Sequence, residues 1–372
     1  MNTIFSGVKI LDITKVFSGP FATRQFADYG AEVIKIESEK NFDDSREFPP
    51  LQNGTSGYFE ILNRNKKGIS LDLKNPADLE KFYVLSKDAD VIVENLTPST
   101  KHKLKIDYQT IKKLNPRIIY ASLSGLGQND DRKYYDVIAQ AESGLMSLSG
   151  TENNPAKIGP SVVDAFSGMN LAFAISSALY YREKTGSGQY LDISMLGSAM
   201  NLLESNLIEY SVTKQNPIPS GNQDNAIAPF GIYKCADGFI AIAVGNNKLW
   251  QKLASWLKTK FVIDLELLKS NHERLQNNKY LTTILESVFK QYKATALVML
   301  LQEIEIPCSK VNTMKDVANS KQNFSNGSLI KINHPRIGQC IIPGHAINFS
   351  IMEEAEISNA PQIGEHNKEY GI

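Results

Sequence analysis

The feature that most constrains the fold is an alternation repeated through the first 130 residues: a short apolar run, a turn signal, then a stretch with helical spacing. Residues 8–14 read as a buried strand, broken by Ser18-Gly19-Pro20 and followed by helical spacing over 21–29. Gly30 closes that helix, as a glycine after the last turn commonly does. A strand is predicted over 32–37, another over 69–73, a helix over 76–89 with Pro76 at its first position, and a strand over 91–95. A short helix near 107–114 leads to a strand over 118–122. Strands and helices in this order imply right-handed crossovers and a mostly parallel sheet. The expected fold class is α/β, with a Rossmann-like body.

Further on, a long apolar helix is predicted over 164–183, then a Gly186-Ser187-Gly188 turn, a strand over 189–194 and a helix to about 212. Residues 214–228 are rich in Asn, Pro, Gly and Gln and read as a linker. Beyond it, strands over 230–236 and 239–244 flank Asp237-Gly238, a hairpin signal. Helical patterns follow over 248–257, 278–291 and 295–303, with short strands near 329–332 and 339–342. The expected organisation is a large α/β domain from 1–213, a linker over 214–228, a small α+β domain over 229–322 and a C-terminal segment, 323–372.

Composition narrows the function classes. Forty Lys+Arg balance forty Asp+Glu, so net charge is zero. Nucleic-acid and anionic-membrane binders rest on surplus cationic charge, and neither partner is expected. A local basic pocket for one phosphorylated ligand remains compatible with that balance. Cys235, Cys308 and Cys340 are widely spaced, and no zinc-type spacing occurs, so neither a disulfide framework nor a metal site is expected. The first 18 residues interrupt their apolar positions with Lys9, Asp12 and Lys15, unlike a signal peptide. The longest strongly apolar stretch, 171–181, is too short to span a bilayer. A soluble, cytoplasmic protein is expected.

Gly125-Leu-Gly127 lacks the third glycine and following helix of a dinucleotide fingerprint and reads as a turn. The run Lys101-His-Lys-Leu-Lys105 reads as a solvated face or as a source of phosphate contacts. Asp164 sits in Gly159-Pro-Ser-Val-Val-Asp164-Ala-Phe-Ser-Gly168 at the start of an apolar helix. It is either a helix N-cap, a role worth about 1 kcal/mol, or a carboxylate nucleophile beside a helix N-terminus. Spacing alone does not choose.

Separate blocks along the chain carry a resemblance. They include Gly7-Val-Lys-Ile-Leu-Asp12, Val16-Phe-Ser-Gly-Pro20, Asp28-Tyr-Gly-Ala-Glu-Val-Ile-Lys-Ile-Glu37 and Asn63-Arg-Asn-Lys-Lys-Gly-Ile-Ser-Leu-Asp-Leu-Lys74. Asp90-Val-Ile-Val-Glu-Asn95, Tyr135-Asp-Val-Ile-Ala-Gln140, Thr185-Gly-Ser-Gly-Gln189, Ile227-Ala-Pro-Phe-Gly231 and Ala360-Pro-Gln-Ile-Gly-Glu-His366 follow in order. Together they resemble the family III CoA-transferases, which include formyl-CoA and carnitine CoA-transferases and the related α-methylacyl-CoA racemases. The resemblance implies a large domain completed by the C-terminal segment, a small domain and an interlocked homodimer. It implies coenzyme A as co-substrate, with an acyl-CoA and a free carboxylic acid as partners. It places the catalytic aspartate at Asp164, where covalent aspartyl intermediates would form.

The resemblance also implies CoA contacts at Val16, Leu71, Asn95, Lys103 and Lys133, and active-site positions at Tyr58, Tyr135 and Asp136. Tyr58 reads equally as a packed aromatic, and Asp136 as a surface or capping carboxylate. An arginine that many members carry is Ser38 here, leaving Lys40 or Arg46 as candidates for the adenine end. Racemases of the superfamily place a histidine base where this chain has Tyr135, whose ordinary pKa of about 10 makes it a poor base at neutral pH. The glycine run of formyl-CoA transferases corresponds to Ser220-Gly-Asn-Gln223, which argues against formyl or oxalyl specificity. CoA transfer is the leading reading, with an acyl-CoA racemase or isomerase and a catalytically inactive CoA-binding protein as alternatives.

Overall fold

The computed structural model describes residues 3–219, 221–352 and 357–372; Ser220 of the Ser220–Gln223 stretch lies outside them. One sheet is built from β1 (Lys9–Asp12), β2 (Glu32–Glu37), β3 (Lys67–Ser70), β4 (Val91–Glu94), β5 (Ile119–Ser124) and β6 (Gln189–Ser194). The order is β6-β5-β4-β1-β2-β3, and every neighbouring pair is parallel. This is the expected α/β sheet. Strand order reverses between β1 and β4, and in open parallel sheets ligands bind outside the carboxyl ends of the strands at such a point.

Helices α1 (Ser18–Asp28), α2 (Gly57–Asn63), α3 (Pro76–Lys87), α4 (Pro98–Lys103), α5 (Tyr108–Leu114), α6 (Asp136–Glu142) and α7 (Val162–Thr185) accompany the strands. The sequence read Ser18-Gly19-Pro20 as a break, but α1 begins at Ser18. Proline costs little there, because N–H groups of the first turn have no intrahelical acceptor. Serine, asparagine and aspartate caps start three of the other six: Ser56 accepts from Phe59 N–H, Asn75 from Ala77 N–H and Asp107 from Thr110 N–H. The helix expected to run to about 212 is instead two pieces, Met195–Met200 and Asn206–Thr213, parted at Glu204 with its φ of 49°.

At 24 residues α7 is longer than the 171–181 apolar stretch suggested, and by length and composition alone it could cross a membrane. One of its faces buries Val163, Ser167, Gly168, Leu171, Ile175 and Ala178 against α1, β5 and β6. Gly168 makes the contact with α1 possible: a Cβ there would lie 2.6 Å from the Ser18 carbonyl oxygen.

The chain divides into two compact units. The first comprises Met1–Met146, Lys157–Gln215 and Lys321–Ile372, and the second comprises Ser147–Ala156 and Asn216–Ser320. In the first, the C-terminal residues line the β3 edge: His366 N–H donates to Gly68 O, Gly68 N–H to His366 Nδ1 and Ser70 N–H to Asn367 Oδ1. An edge strand is thereby covered. The second unit holds an antiparallel sheet of β7 (Phe230–Lys234), β8 (Phe239–Ala243) and β9 (Cys308–Lys310) with helices α8 (Asn247–Lys260), α9 (Asn278–Phe289) and α10 (Ala294–Glu303). Beyond Lys234 and Phe239 the hairpin is closed by Cys235 N–H donating to Gly238 O at 2.8 Å, and Asp237 Oδ1 accepts from Ala294 N–H at the start of α10.

Candidate active site

Parallel strands buried on both faces should read as continuous apolar runs. At their carboxyl ends β1, β2 and β4 break that rule with Asp12, Lys35, Glu37 and Glu94, all buried. Lys66 Nζ pairs with Asp12 at 2.9 Å, Lys35 Nζ with Asp43 at 2.8 Å, and Arg46 Nη2 with Glu37 at 2.6 Å. Burial works against the Lys35 charge, but Asp43 and Asp12 outweigh it and its pKa rises. Burial likewise opposes the Asp43 charge, yet Lys35 holds that carboxyl far below the ordinary carboxylate range.

This ionic layer grips the loop after β1. Asp43 Oδ1 accepts from Val16 N–H at 2.9 Å, and Lys35 Nζ donates to the Thr14 carbonyl. Asn95, at the end of β4, accepts from Lys15 N–H at 2.9 Å and donates from Nδ2 to Lys15 O at 2.8 Å. Between these clamps Val16 adopts φ 69°, a left-handed conformation that a β-branched residue avoids unless its surroundings impose it. The loop then enters α1 and brings Ser18 to Asp164, whose Oδ1 accepts the Ser18 hydroxyl proton.

Asp164 is the third residue of α7 and not its N-cap. Capping comes from across the fold: Asp136 Oδ1 accepts from Val163 N–H at 2.9 Å and from Asp164 N–H at 3.3 Å. Gln140 Nε2 donates to the other Asp136 oxygen at 2.6 Å, and Ile158 N–H donates to Gln140 Oε1 at 2.9 Å. Asp136 therefore fixes the start of α7 and places a second negative charge near Asp164. Burial, with Asp136 adding to it against the Ser18 hydrogen bond, lifts the Asp164 pKa to about 6.

Asp164, Val16, Asn95, Lys133 and Tyr135 line one cavity of about 330 Å³, with Lys15, Phe17, Ser18 and Arg132. That is at the lower end of the ligand-pocket range. A neighbouring cavity of about 460 Å³ holds Leu71 and Lys103 with Lys40 and Lys74, and Lys15, Leu96 and Thr100 line both. The eight expected positions thus fall into groups. Tyr58 lines neither cavity; its ring packs between Phe17 and Phe48, at 5.9 and 5.6 Å. Burial and the charge of Asp164 push its hydroxyl up to about 12. Tyr135 is 59% exposed at the start of α6.

Two expectations are corrected. Lys101 is not on a solvated face: it is 4% exposed, pairs with Glu94 at 2.8 Å and donates to Ser122 Oγ at 2.8 Å. Arg46 is not available to an adenine, since it forks onto Glu37, donates to Pro361 O and lies 3.8 Å over the Phe59 ring. Ser18, Lys35 and Asp43 were missed as site residues.

The arrangement is a half-buried carboxylate at a helix N-terminus, opening onto a cleft rimmed with lysines, which suits acyl transfer from a phosphorylated carrier. The profile of CoA-transferase family III matches residues 5–367. Succinyl-CoA:glutarate CoA-transferase of Mus musculus is 35% identical over 367 residues, covering 97% of this chain and 84% of that one. Acetyl-CoA:oxalate CoA-transferase of Acetobacter aceti is 32% identical, over 97% and 93%. A CAIB/BAIF family protein of Brucella suis superposes with a TM-score of 0.86 at 31% identity, covering 99% and 98%. The chain belongs to the CoA-transferase family III. It is an enzyme, a CoA-transferase that uses CoA thioesters as co-substrate.

Proposed function

We propose that the chain exchanges CoA between an acyl-CoA and a free carboxylic acid through covalent intermediates on Asp164. The observation that carries this reading is the Asp164 carboxylate itself: half-buried, bonded by the Ser18 hydroxyl, on a residue whose backbone N–H is held by Asp136, and facing the lysine-rimmed cleft. A carboxylate oxygen attacks the donor thioester carbonyl, the C–S bond breaks, and a mixed anhydride and CoA thiolate form. The thiolate attacks Asp164 Cγ, the anhydride C–O bond breaks, and the donor acid leaves an aspartyl-CoA thioester. An acceptor carboxylate then attacks Cγ and releases the thiolate, which attacks the acceptor carbonyl and restores Asp164. No step moves a proton, so no general base is required, and no histidine is among the described residues lining the cavity. With a pKa of about 6, Asp164 is mostly ionised at pH 7 yet more basic than an ordinary carboxylate, which favours attack.

CoA is proposed to run across both cavities, with its thioester at Asp164 and its phosphates near Lys40, Lys74 and Lys103. Lys133 and Arg132 supply positive charge beside Asp164 for a carboxylate acceptor. The relative named for glutarate supports a short dicarboxylic acid in that role. A homodimer is proposed on the exposed apolar side chains of α7 and the Asn206–Thr213 helix, among them Phe173, Tyr180, Leu207, Ile208 and Val212. Light scattering on the purified chain tests the dimer. Hydroxylamine added during turnover with a panel of acyl-CoAs should leave a hydroxamate at Asp164, read by peptide mass spectrometry. CoA binding without modification at Asp164 would overturn the covalent reading.

A further inference from the structure

The carboxylate of Asp164 has two oxygens with different surroundings. Oδ1 accepts the Ser18 hydroxyl proton, and Ser18 is itself buried at the first position of α1. Its place is set by contacts outside the reacting groups. Asp43 and Asn95 clamp Val16 and Lys15 just before it, and Gly168 leaves room for its carbonyl against α7. Ser18 is therefore aimed at Asp164 by the fold.

Resting on the covalent route above, we infer that the Ser18 hydroxyl is a catalytic hydrogen-bond donor to the oxyanion that forms on Asp164 itself. The route attacks Asp164 Cγ twice, once by CoA thiolate on the anhydride and once by the acceptor carboxylate on the aspartyl thioester. Each attack turns the Asp164 carbonyl into a tetrahedral centre with negative charge on the oxygen that stays on the enzyme. With Oδ2, the oxygen that Ser18 does not engage, bonding the donor acyl group and departing with the donor acid, the oxygen that stays before the first attack is Oδ1. Oδ1 is where Ser18 donates, so the hydrogen bond is in place before charge develops. Such a preset donor acts as an oxyanion hole does, with the unusual feature that the oxyanion belongs to the protein. In the resting enzyme the same bond favours the carboxylate over the acid, opposing burial and Asp136.

The test is a pair of variants, Ser18→Ala and Ser18→Cys, the second keeping the shape with a weaker donor. Loss of one oxyanion donor typically lowers kcat by about 10²- to 10³-fold. Ser18→Ala is expected to fall in that range, with KM for the donor acyl-CoA changed less than about twofold on the same reasoning that the loss is confined to the transition state. The acid limb of its kcat/KM profile should move to higher pH, and Ser18→Cys should lie between alanine and wild type in both respects. In quenched-flow mixing with acyl-CoA alone, Ser18→Ala should form the aspartyl thioester more slowly. An unmoved acid limb with unchanged thioester formation, or a loss confined to KM, would overturn the role of Ser18. Failure of the wild-type enzyme to be trapped at Asp164 would instead overturn the covalent route beneath it, so the two failures are told apart.

Discussion

The carboxyl edge of the parallel sheet and the core of the second unit are built on opposite principles. The second unit buries Tyr233, Ile240, Trp250, Leu253, Leu285, Phe289 and Leu297, and Arg274 is the one buried charged side chain among its described residues. Even that arginine is answered by acceptors, donating to Ala228, Leu268 and Lys269 carbonyls and to Asn247 Oδ1. The carboxyl edge of the sheet, by contrast, buries Asp12, Lys35, Glu37, Asp43, Lys66 and Glu94, and Asp43 accepts from Val16 N–H in the loop that brings Ser18 to Asp164. Apolar packing would be as stable or more so, since desolvation offsets most of what a buried ion pair gains. What the charges supply at that edge is directional: they hold a loop with a left-handed valine in one geometry.

Breaking the comparison at its centre should have the largest effect. Asp164→Asn is expected to lower kcat by about 10⁴-fold or more, as loss of a nucleophile does elsewhere. The same change should raise stability at neutral pH. The folded pKa of about 6 lies above the ordinary 3.8, so the folded chain binds the extra proton. Stability attached to this group is full below about pH 4, declines as pH rises through 6 and stays low above it. Thermal melts of wild type and Asp164→Asn should therefore converge near pH 4 and separate above pH 6, with the variant higher.

Next in size is Lys35→Met, which leaves Asp43 buried without its cation. Breaking a buried pair from one side costs about 3–5 kcal/mol. Urea denaturation should show that loss, and kcat should fall further than the folded fraction does, because the Val16 loop is released. Leu253→Ala, in the second unit, should cost a comparable 2–5 kcal/mol through its cavity. Measured where it remains folded, it should leave the acid limb of kcat/KM where the wild type has it. Smallest is Asp136→Asn, which keeps an oxygen for the Val163 and Asp164 N–H groups while removing the like charge. Its acid limb should shift below the wild-type midpoint near pH 6.

Much of this was legible in sequence because local period carries it. Apolar runs over β1, β2 and β4, with turn signals between, define a parallel sheet without any long-range information. Asp164 stood out in the sequence, but that it is not the helix cap became visible only with Asp136, 28 residues earlier, doing the capping. Ser18 could not be assigned because its partner lies 146 residues away. One signal was present: Asp12, Lys35 and Glu37 stand in strands that should be apolar, and such violations mark the functional edge of a parallel sheet. Lys101 shows the limit of charge runs, since nothing local separates a lysine that reaches Glu94 from neighbours that stay in water.

The central claim is that Asp164 carries CoA as a thioester during turnover. Borohydride reduces a thioester to an alcohol and leaves a free carboxylate unchanged. Mixing the enzyme with acyl-CoA, adding borohydride and sequencing the peptide that spans α7 should show homoserine at position 164, with loss of activity in the same proportion. An unaltered aspartate at 164 in enzyme that is turning over under those conditions would contradict the account.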